Sequence, residues 1–340
     1  MISLLDRKLP DNRSASDVLF AALDRTQDEL TFVDVGARNG SYLLPASYAQ
    51  RACIIGFEPN QVEYERLVAQ KTEASAAGMQ EHKFRRRRYF SHALWSTSGR
   101  RSFYEPIAPG AATLVGWADP KMTQNIWLSV GGGASYYDRI QRPKAVGEVE
   151  CQTLDRMWAP EPGLIDILKL DVEGGEVDVL EGARGLLTDH RILLIRSEFA
   201  LAPYYENRPT FGHQQVLLNE LGYRAIALEF EHWQYCWKPT DVMETNDRWL
   251  TRSGDAVFVL DPDRNHFSVD QFYRLGLACV ALGFNAFGLN LIREAGAIND
   301  SDLRSLVAVM NTKSKMRKAR EVWMGVPDRV YRILHRMKLR

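Results

Sequence analysis

The strongest constraint on what this chain can fold into is a pattern that occurs three times: a short, mostly apolar β-rich run stops at a polar or glycine loop and gives way to a helical pattern. Thr31 to Val35 (TFVDV) ends at a glycine loop, Ala52 to Phe57 (ACIIGF) at Glu58-Pro59-Asn60, and Ile165 to Leu170 (IDILKL) at Asp171-Val172-Glu173-Gly174. Such runs, alternating with helices, predict strands covered on both faces in a parallel α/β sheet. Ligands of these sheets bind outside the carboxyl ends of the strands, which is where the polar and glycine residues stand. Ile192 to Phe199, Tyr223 to Phe230 and Asp255 to Leu260 read as further strands. The last two are joined through His232 to Ser253, rich in Trp, Pro, Asn and Asp, with no crossover helix, so an antiparallel pair is expected to close the sheet.

The first loop, Asp34-Val35-Gly36-Ala37-Arg38-Asn39-Gly40, combines an acid at the strand end with glycines four apart. Glycines let backbone approach a ligand closely, and a following helix start presents unpaired N–H groups. The GxGxxG spacing of dinucleotide folds is absent, which argues against a nicotinamide enzyme. A carboxylate at Asp34 would repel a pyrophosphate but suits an ammonium group, such as that on the amino-acid half of S-adenosylmethionine. Glu58 follows the second strand, where a carboxylate can accept hydrogen bonds from both hydroxyls of an adenosine ribose.

The third loop continues as Lys169-Leu170-Asp171-Val172-Glu173-Gly174-Gly175-Glu176. With DVGARNG from Asp34 and KLDVEGGE from Lys169 in that order, the chain resembles the FkbM family of S-adenosylmethionine-dependent methyltransferases over roughly residues 31 to 261. The resemblance implies a class I methyltransferase fold: an α/β Rossmann-like sheet of seven strands, the last antiparallel. It implies that Asp34, Gly36, Ala37, Asn39 and Gly40 line the methionine and ribose part of the cofactor and that Glu58 holds the ribose. It also implies that Ser91, His92 and Ala93, ending a third strand, lie near the adenine. Arg38 departs from the pattern, because relatives often carry Asn there.

Methyl transfer is an in-line displacement by an acceptor atom, so the protein must position that atom and, for a hydroxyl, take its proton. Asp171 and Glu198, at the ends of neighbouring strands, and Glu173 in the loop are the candidate catalytic residues. As hard oxygen ligands the same three could hold a divalent cation, although their spacing does not demand one. His213 is a weaker candidate base, and Trp117, Trp127, Tyr136, Tyr137, Tyr204 and Tyr205 could stack on a sugar or polyketide or simply pack. An acceptor hydroxyl on a sugar of a glycan or glycosylated natural product is the expected substrate; an amine or carboxyl acceptor stays open.

Four regions are expected: a helical segment at 1–30, the methyltransferase region at 31–262 with an acceptor-side insertion at 106–147, a helical hairpin at 263–312 and a basic amphipathic tail at 313–340. That tail holds ten Lys or Arg against Glu321 and Asp328, while the 340-residue chain balances 43 basic with 43 acidic residues. Nothing in that balance calls for nucleic acid as a partner. A polybasic tail suits an anionic membrane surface or a partner enzyme, which makes a tethered, methyltransferase-like interaction module the rival to an enzyme. Four scattered cysteines, no apolar leader and three glycines within Leu275 to Ile292 lead us to expect a cytoplasmic protein, membrane-associated only through the tail.

Overall fold

The computed structural model describes residues 3–78, 82–106, 109–116, 143–161, 163–201, 205, 207–233 and 250–323. Ten strands follow in chain order: β1 Leu30–Val35, β2 Ala52–Phe57, β3 Arg86–Phe90, β4 Ala93–Leu94, β5 Gly99–Pro106, β6 Pro143–Gln152, β7 Ile165–Leu170, β8 Ile192–Ala200, β9 Tyr223–Trp233 and β10 Leu250–Leu260. Seven form one sheet in the order β3-β2-β1-β7-β8-β10-β9, and β4, β6 and β5 form a second, smaller one. The five strands β3, β2, β1, β7 and β8 are parallel, and β10 runs antiparallel to both neighbours. The expected antiparallel pair is therefore present, with β10 inserted between β8 and β9. All six residues of β2 are buried and only Thr31 of β1 is not, as the apolar runs predict for central strands.

The run Arg85 to Arg88 leads into the edge strand β3, where its charges are met one by one. Arg86 pairs with Glu29, Arg88 with Glu161 at 2.5 Å, and Arg87 donates to the His82 carbonyl at 2.9 Å. Charged side chains on an edge also protect it from pairing with another chain. Ser91-His92-Ala93-Leu94 does not end this strand. β3 stops at Phe90, and Ala93–Leu94 crosses into the second sheet to pair with Cys151 and Gln152.

Helices Val269–Ala281 and Asn285–Glu294 pack against each other. Their glycines have a packing function. A Cβ on Gly276 would lie 2.8 Å from the Gly288 carbonyl oxygen, and one on Gly288 would lie 2.5 Å from that of Gly276. The two helices thus touch backbone to backbone. Leu275, Leu277, Val280 and Ile292 share one continuous apolar core with β1, β7 and the N-terminal Leu4, Leu5 and Phe20. The junction carries a buried ion pair. Arg274 on the first hairpin helix donates from Nε and Nη2 to the two oxygens of Asp166 on β7 at 2.8 and 2.7 Å, and Asp166 also accepts the Thr31 amide at 2.6 Å.

The helix Asp300–Trp323 carries the backbone into the basic region. Residues 324–340 lie outside the described residues, as do Trp117, Trp127, Tyr136, Tyr137 and Tyr204. Among the described residues no helix is long and apolar enough to cross a membrane.

Candidate active site

The carboxyl ends of β1, β2 and β7 open onto a cleft of about 360 Å³. Its floor is made possible by Gly36. With φ at +82° it occupies the left-handed region, and a Cβ there would lie 1.9 Å from the Asp171 carbonyl oxygen, so only glycine lets the first loop cross the end of β7. Asn39 and Gly40 are also left-handed, at φ +71° and +82°, and Gly36 and Ala37 both donate to the Phe57 carbonyl. The loop is thus tied to the end of β2 and turned so that its far side faces the cleft.

Of the residues named from sequence, Gly36, Asn39, Gly40, Glu58, Ala93, Asp171 and Glu173 line this cleft. Asp34 does not. It is buried beside Lys169, its neighbour in the β1–β7 register, and accepts the Lys169 Nζ at 3.0 Å. Burial pulls the Lys169 ammonium down, but Asp34 and Asp171 outweigh it and hold the group above its ordinary range. The Asp34 charge is therefore spent on an internal lysine instead of facing a ligand's ammonium. Ala37 is buried, its amide tied to the Phe57 carbonyl, and Ser91 and His92, in the link between the two sheets, do not line the cleft themselves. The described part of the 106–147 segment does reach the cleft: Gly110, Ala112, Thr113 and Leu114 cover one side of it.

Glu58 is 5% exposed and receives the Asn60 amide on Oε1 at 2.8 Å, leaving Oε2 to the cleft. Burial pushes its carboxyl up to about 7. A second acid of the same wall, Glu63, lies in the first turn of helix Gln61–Val68, and Arg38 lies opposite it.

At the other end of the cleft, single oxygens of Asp171, Glu173 and Glu198 all lie within 4.8 Å of one another. The three come from the loop after β7 and the end of β8, and β10 completes the surroundings by placing Asp255 directly opposite Glu198. Burial drives the Glu198 carboxyl well above the usual carboxylate range, and Glu173, Asp171, Glu176 and Asp255 push it the same way. Glu173 has φ +56°, and its position is fixed by two hydrogen bonds: the Tyr205 hydroxyl donates to Oε2 at 2.5 Å and Thr113 Oγ1 donates to its carbonyl at 2.7 Å. Glu176 clamps the same loop by accepting the Val172 and Gly174 amides at 3.0 and 3.3 Å. His213 serves as a helix cap, its Nδ1 accepting the Thr210 amide at 3.3 Å.

The residues fit an adenosyl cofactor: a left-handed glycine loop for close backbone approach, a half-engaged carboxylate after β2, and a buried Asn39 Oδ1 with no hydrogen-bond partner among the described residues, all on one cleft. A sheet of this strand order with such a cleft at its carboxyl edge defines a class I methyltransferase that uses S-adenosylmethionine. The FkbM methyltransferase domain matches residues 34–225, more than half of the chain, and the protein belongs to that family. A curated relative, "Methyltransferase 1" of Beauveria bassiana (strain ARSEF 2860), is 28% identical over 210 residues, covering 61% of this chain and 76% of its own. Among solved structures, the magnesium protoporphyrin IX methyltransferase of Synechocystis PCC 6803 with bound SAM is 12% identical, with a TM-score of 0.31, 71% of this chain covered and 76% of that one. A TehB-like SAM-dependent methyltransferase of Corynebacterium glutamicum ATCC 13032 is also 12% identical, with a TM-score of 0.27 and 73% and 88% covered.

Proposed function

We propose that the enzyme methylates a hydroxyl oxygen, on a sugar of a glycan or of a glycosylated small molecule. The observation that carries this reading is the convergence of Asp171, Glu173 and Glu198 beside the cofactor cleft, with the Glu198 carboxyl raised above the usual carboxylate range by burial and by its acidic neighbours, which makes it a stronger base once ionised. A hydroxyl is a poor nucleophile until its proton is accepted, and an efficient base has a pKa raised toward the working pH. Glu198 has that property. Asp171, which Lys169 contacts at 3.2 Å and which is 47% exposed, and Glu173, fixed by Tyr205, are acceptors suited to orienting neighbouring hydroxyls of the same ring.

S-adenosylmethionine supplies an electrophilic methyl group when bound. Glu58 holds the ribose hydroxyls, and the first loop, from Gly36 to Gly40, cradles the adjoining part of the cofactor. Carboxylates accept hydroxyl protons best when ionised, so affinity for S-adenosylhomocysteine is expected to rise from about pH 6 to about pH 8, as Glu58 loses its proton. At the upper pH, Glu58→Ala is expected to weaken binding by roughly ten- to a hundredfold in calorimetric titration. Unchanged affinity would remove Glu58 from the ribose site.

The acceptor class is tested by incubating the protein with methyl-labelled S-adenosylmethionine and a panel of neutral sugars, glycosides, amines and carboxylates. Label is expected on a sugar oxygen. Label confined to amines or carboxylates would overturn the hydroxyl assignment while leaving the methyltransferase intact.

A further inference from the structure

We propose that two copies of this chain form a two-fold dimer in which their β9 strands pair antiparallel, edge to edge, and join the two seven-stranded sheets. The two edges of the sheet are built differently. At one, β3 carries Arg86, Arg87 and Arg88 in succession, and such charges keep other strands away. At the other, β9 pairs with β10 on its inner side, and no strand among the described residues pairs with its outer side. Its centre is the uncharged run Ala225-Ile226-Ala227-Leu228. Leu228 is 39% exposed, and Val216, on the helix Phe211–Glu220 that packs on β9, is 59% exposed. A long edge with an apolar centre and no lysine or proline in it is a template for a further strand.

Charge identifies the occupant as a second copy. Glu198, Asp255 and Glu229 stand directly opposite one another on β8, β10 and β9, a row of three acids on one face. Like charges in that relation weaken a sheet, and among the described residues one cation is in ion-pair contact with the row: Arg196, 2.8 Å from Asp255 and 2.9 Å from Glu229. The row therefore stays acidic where it meets the open edge. β9 itself carries a matching cation. Ile226 is an extra residue on β9, so Arg224 and Glu229, which face Val259 and Asp255 on β10, lie on the same side of the sheet. In an antiparallel pair whose two-fold axis passes between Ile226 and Ala227, Arg224 of each copy stands opposite Glu229 of the partner subunit, and Ala225 opposite Leu228 of the partner subunit. Without the extra residue the two charges would point to opposite faces and could not be set against each other. An in-register parallel pair would instead set like charges together. A bulge usually turns an edge away from a neighbour; with the axis beside it, both copies bend at the same point and still match. Asp261 and Asp263, at 3.2 and 3.1 Å, already hold Arg224, so the charges select orientation and register while the backbone hydrogen bonds and apolar centre supply the affinity.

The test is the mass of the full chain in solution, followed by sedimentation equilibrium across micromolar concentrations. Wild type is expected to be a dimer. Leu228→Lys, a change at an exposed position, is expected to raise the dimer dissociation constant by roughly tenfold or more, because the two-fold axis applies it twice. Val62→Lys, on helix Gln61–Val68, alters a residue that is 56% exposed but remote from β9, and is expected to leave the dimer as tight as in wild type. Register is read by mild oxidation in a Cys236→Ser background. A mixture of Ala225→Cys and Leu228→Cys chains is expected to form a disulfide-linked dimer, and either variant alone to form far less. Should Leu228→Lys fail to fold, this cross-linking decides, since neither cysteine introduces a charge.

Three results would overturn the proposal: a wild type that stays monomeric at roughly 100 μM, a dimer that a folded Leu228→Lys leaves as tight as Val62→Lys does, or cross-links that form as readily in one variant alone as in the mixture. The first would leave the β9 edge to a partner other than a second copy. The second would place the contact on another surface, and the third would mean a different register or direction of pairing.

Discussion

Replacing Asp166 by alanine is expected to cost about 3–5 kcal/mol of folding stability, seen as a large drop in the midpoint of urea unfolding with little change of slope. Asp166 is fully buried and accepts three hydrogen bonds, two from Arg274 and one from the Thr31 amide. Removing it leaves a guanidinium that is itself 7% exposed with only the distant, exposed carboxylate of Asp270 at 3.9 Å, and leaves the Thr31 N–H without its carboxylate acceptor inside the protein. The Glu29 carbonyl, 3.1 Å from Arg274 Nη2, cannot neutralise that charge. The double replacement Asp166→Leu with Arg274→Met is expected to recover most of the loss, because breaking a buried pair is costly while exchanging the whole pair for apolar groups often is not. A loss below about 1 kcal/mol for the single change would mean that water reaches the site and that the hairpin is not anchored to β7 by this pair.

That anchor also marks where reading the sequence stops. The strands β1, β2 and β7 are legible because central parallel strands are apolar on both faces and their polar residues pile up at one end. Glu58, Asp171 and Glu173 are legible for the same reason, since they follow β2 and β7 directly, and Glu198 stands near the carboxyl end of the neighbouring strand β8. The partners of these residues are not. Lys169 reads as one more member of a motif, and only the β1–β7 register sets its ammonium against Asp34 and turns that acid from a ligand contact into an internal ion pair. Asp166 and Arg274 are 108 residues apart and become partners only when the hairpin docks. Ser91 to Leu94 continues β3 in sequence but changes sheets, since Ala93 and Leu94 find their hydrogen bonds on β6. Glu63 looks like an ordinary acid at a helix start, and its i, i+3 neighbour Arg66 supports that view; its approach to Arg38 depends on the turn that puts Asn39 at a left-handed φ.

The largest functional effect is expected at Glu198. Exchange for glutamine should reduce the rate of methyl transfer by roughly 10²–10⁴-fold, the usual worth of a positioned general base, with little change in S-adenosylhomocysteine affinity, because Glu198 does not line the cofactor cleft. The rate of the wild type is expected to rise with pH and to level off above the usual carboxylate range, since Glu198 must be ionised to accept a proton and its environment delays that ionisation. Burial comes first among the causes, followed by Glu173, Asp171 and Glu176 on the facing loop and Asp255 on β10. The same shift has the opposite sign for stability. Between its unfolded and folded pKa the folded protein binds more protons at this site than the unfolded chain, so wild-type stability falls as pH rises through that window. Glutamine carries no such cost, and Glu198→Gln is therefore expected to melt higher than wild type at pH values above the window while being nearly inactive there. Opposite movements of melting temperature and rate are what a group held at an energetic disadvantage for the sake of chemistry would give. A variant that loses both stability and rate would make Glu198 a packing residue, and one that keeps its rate would pass the role of base to Asp171.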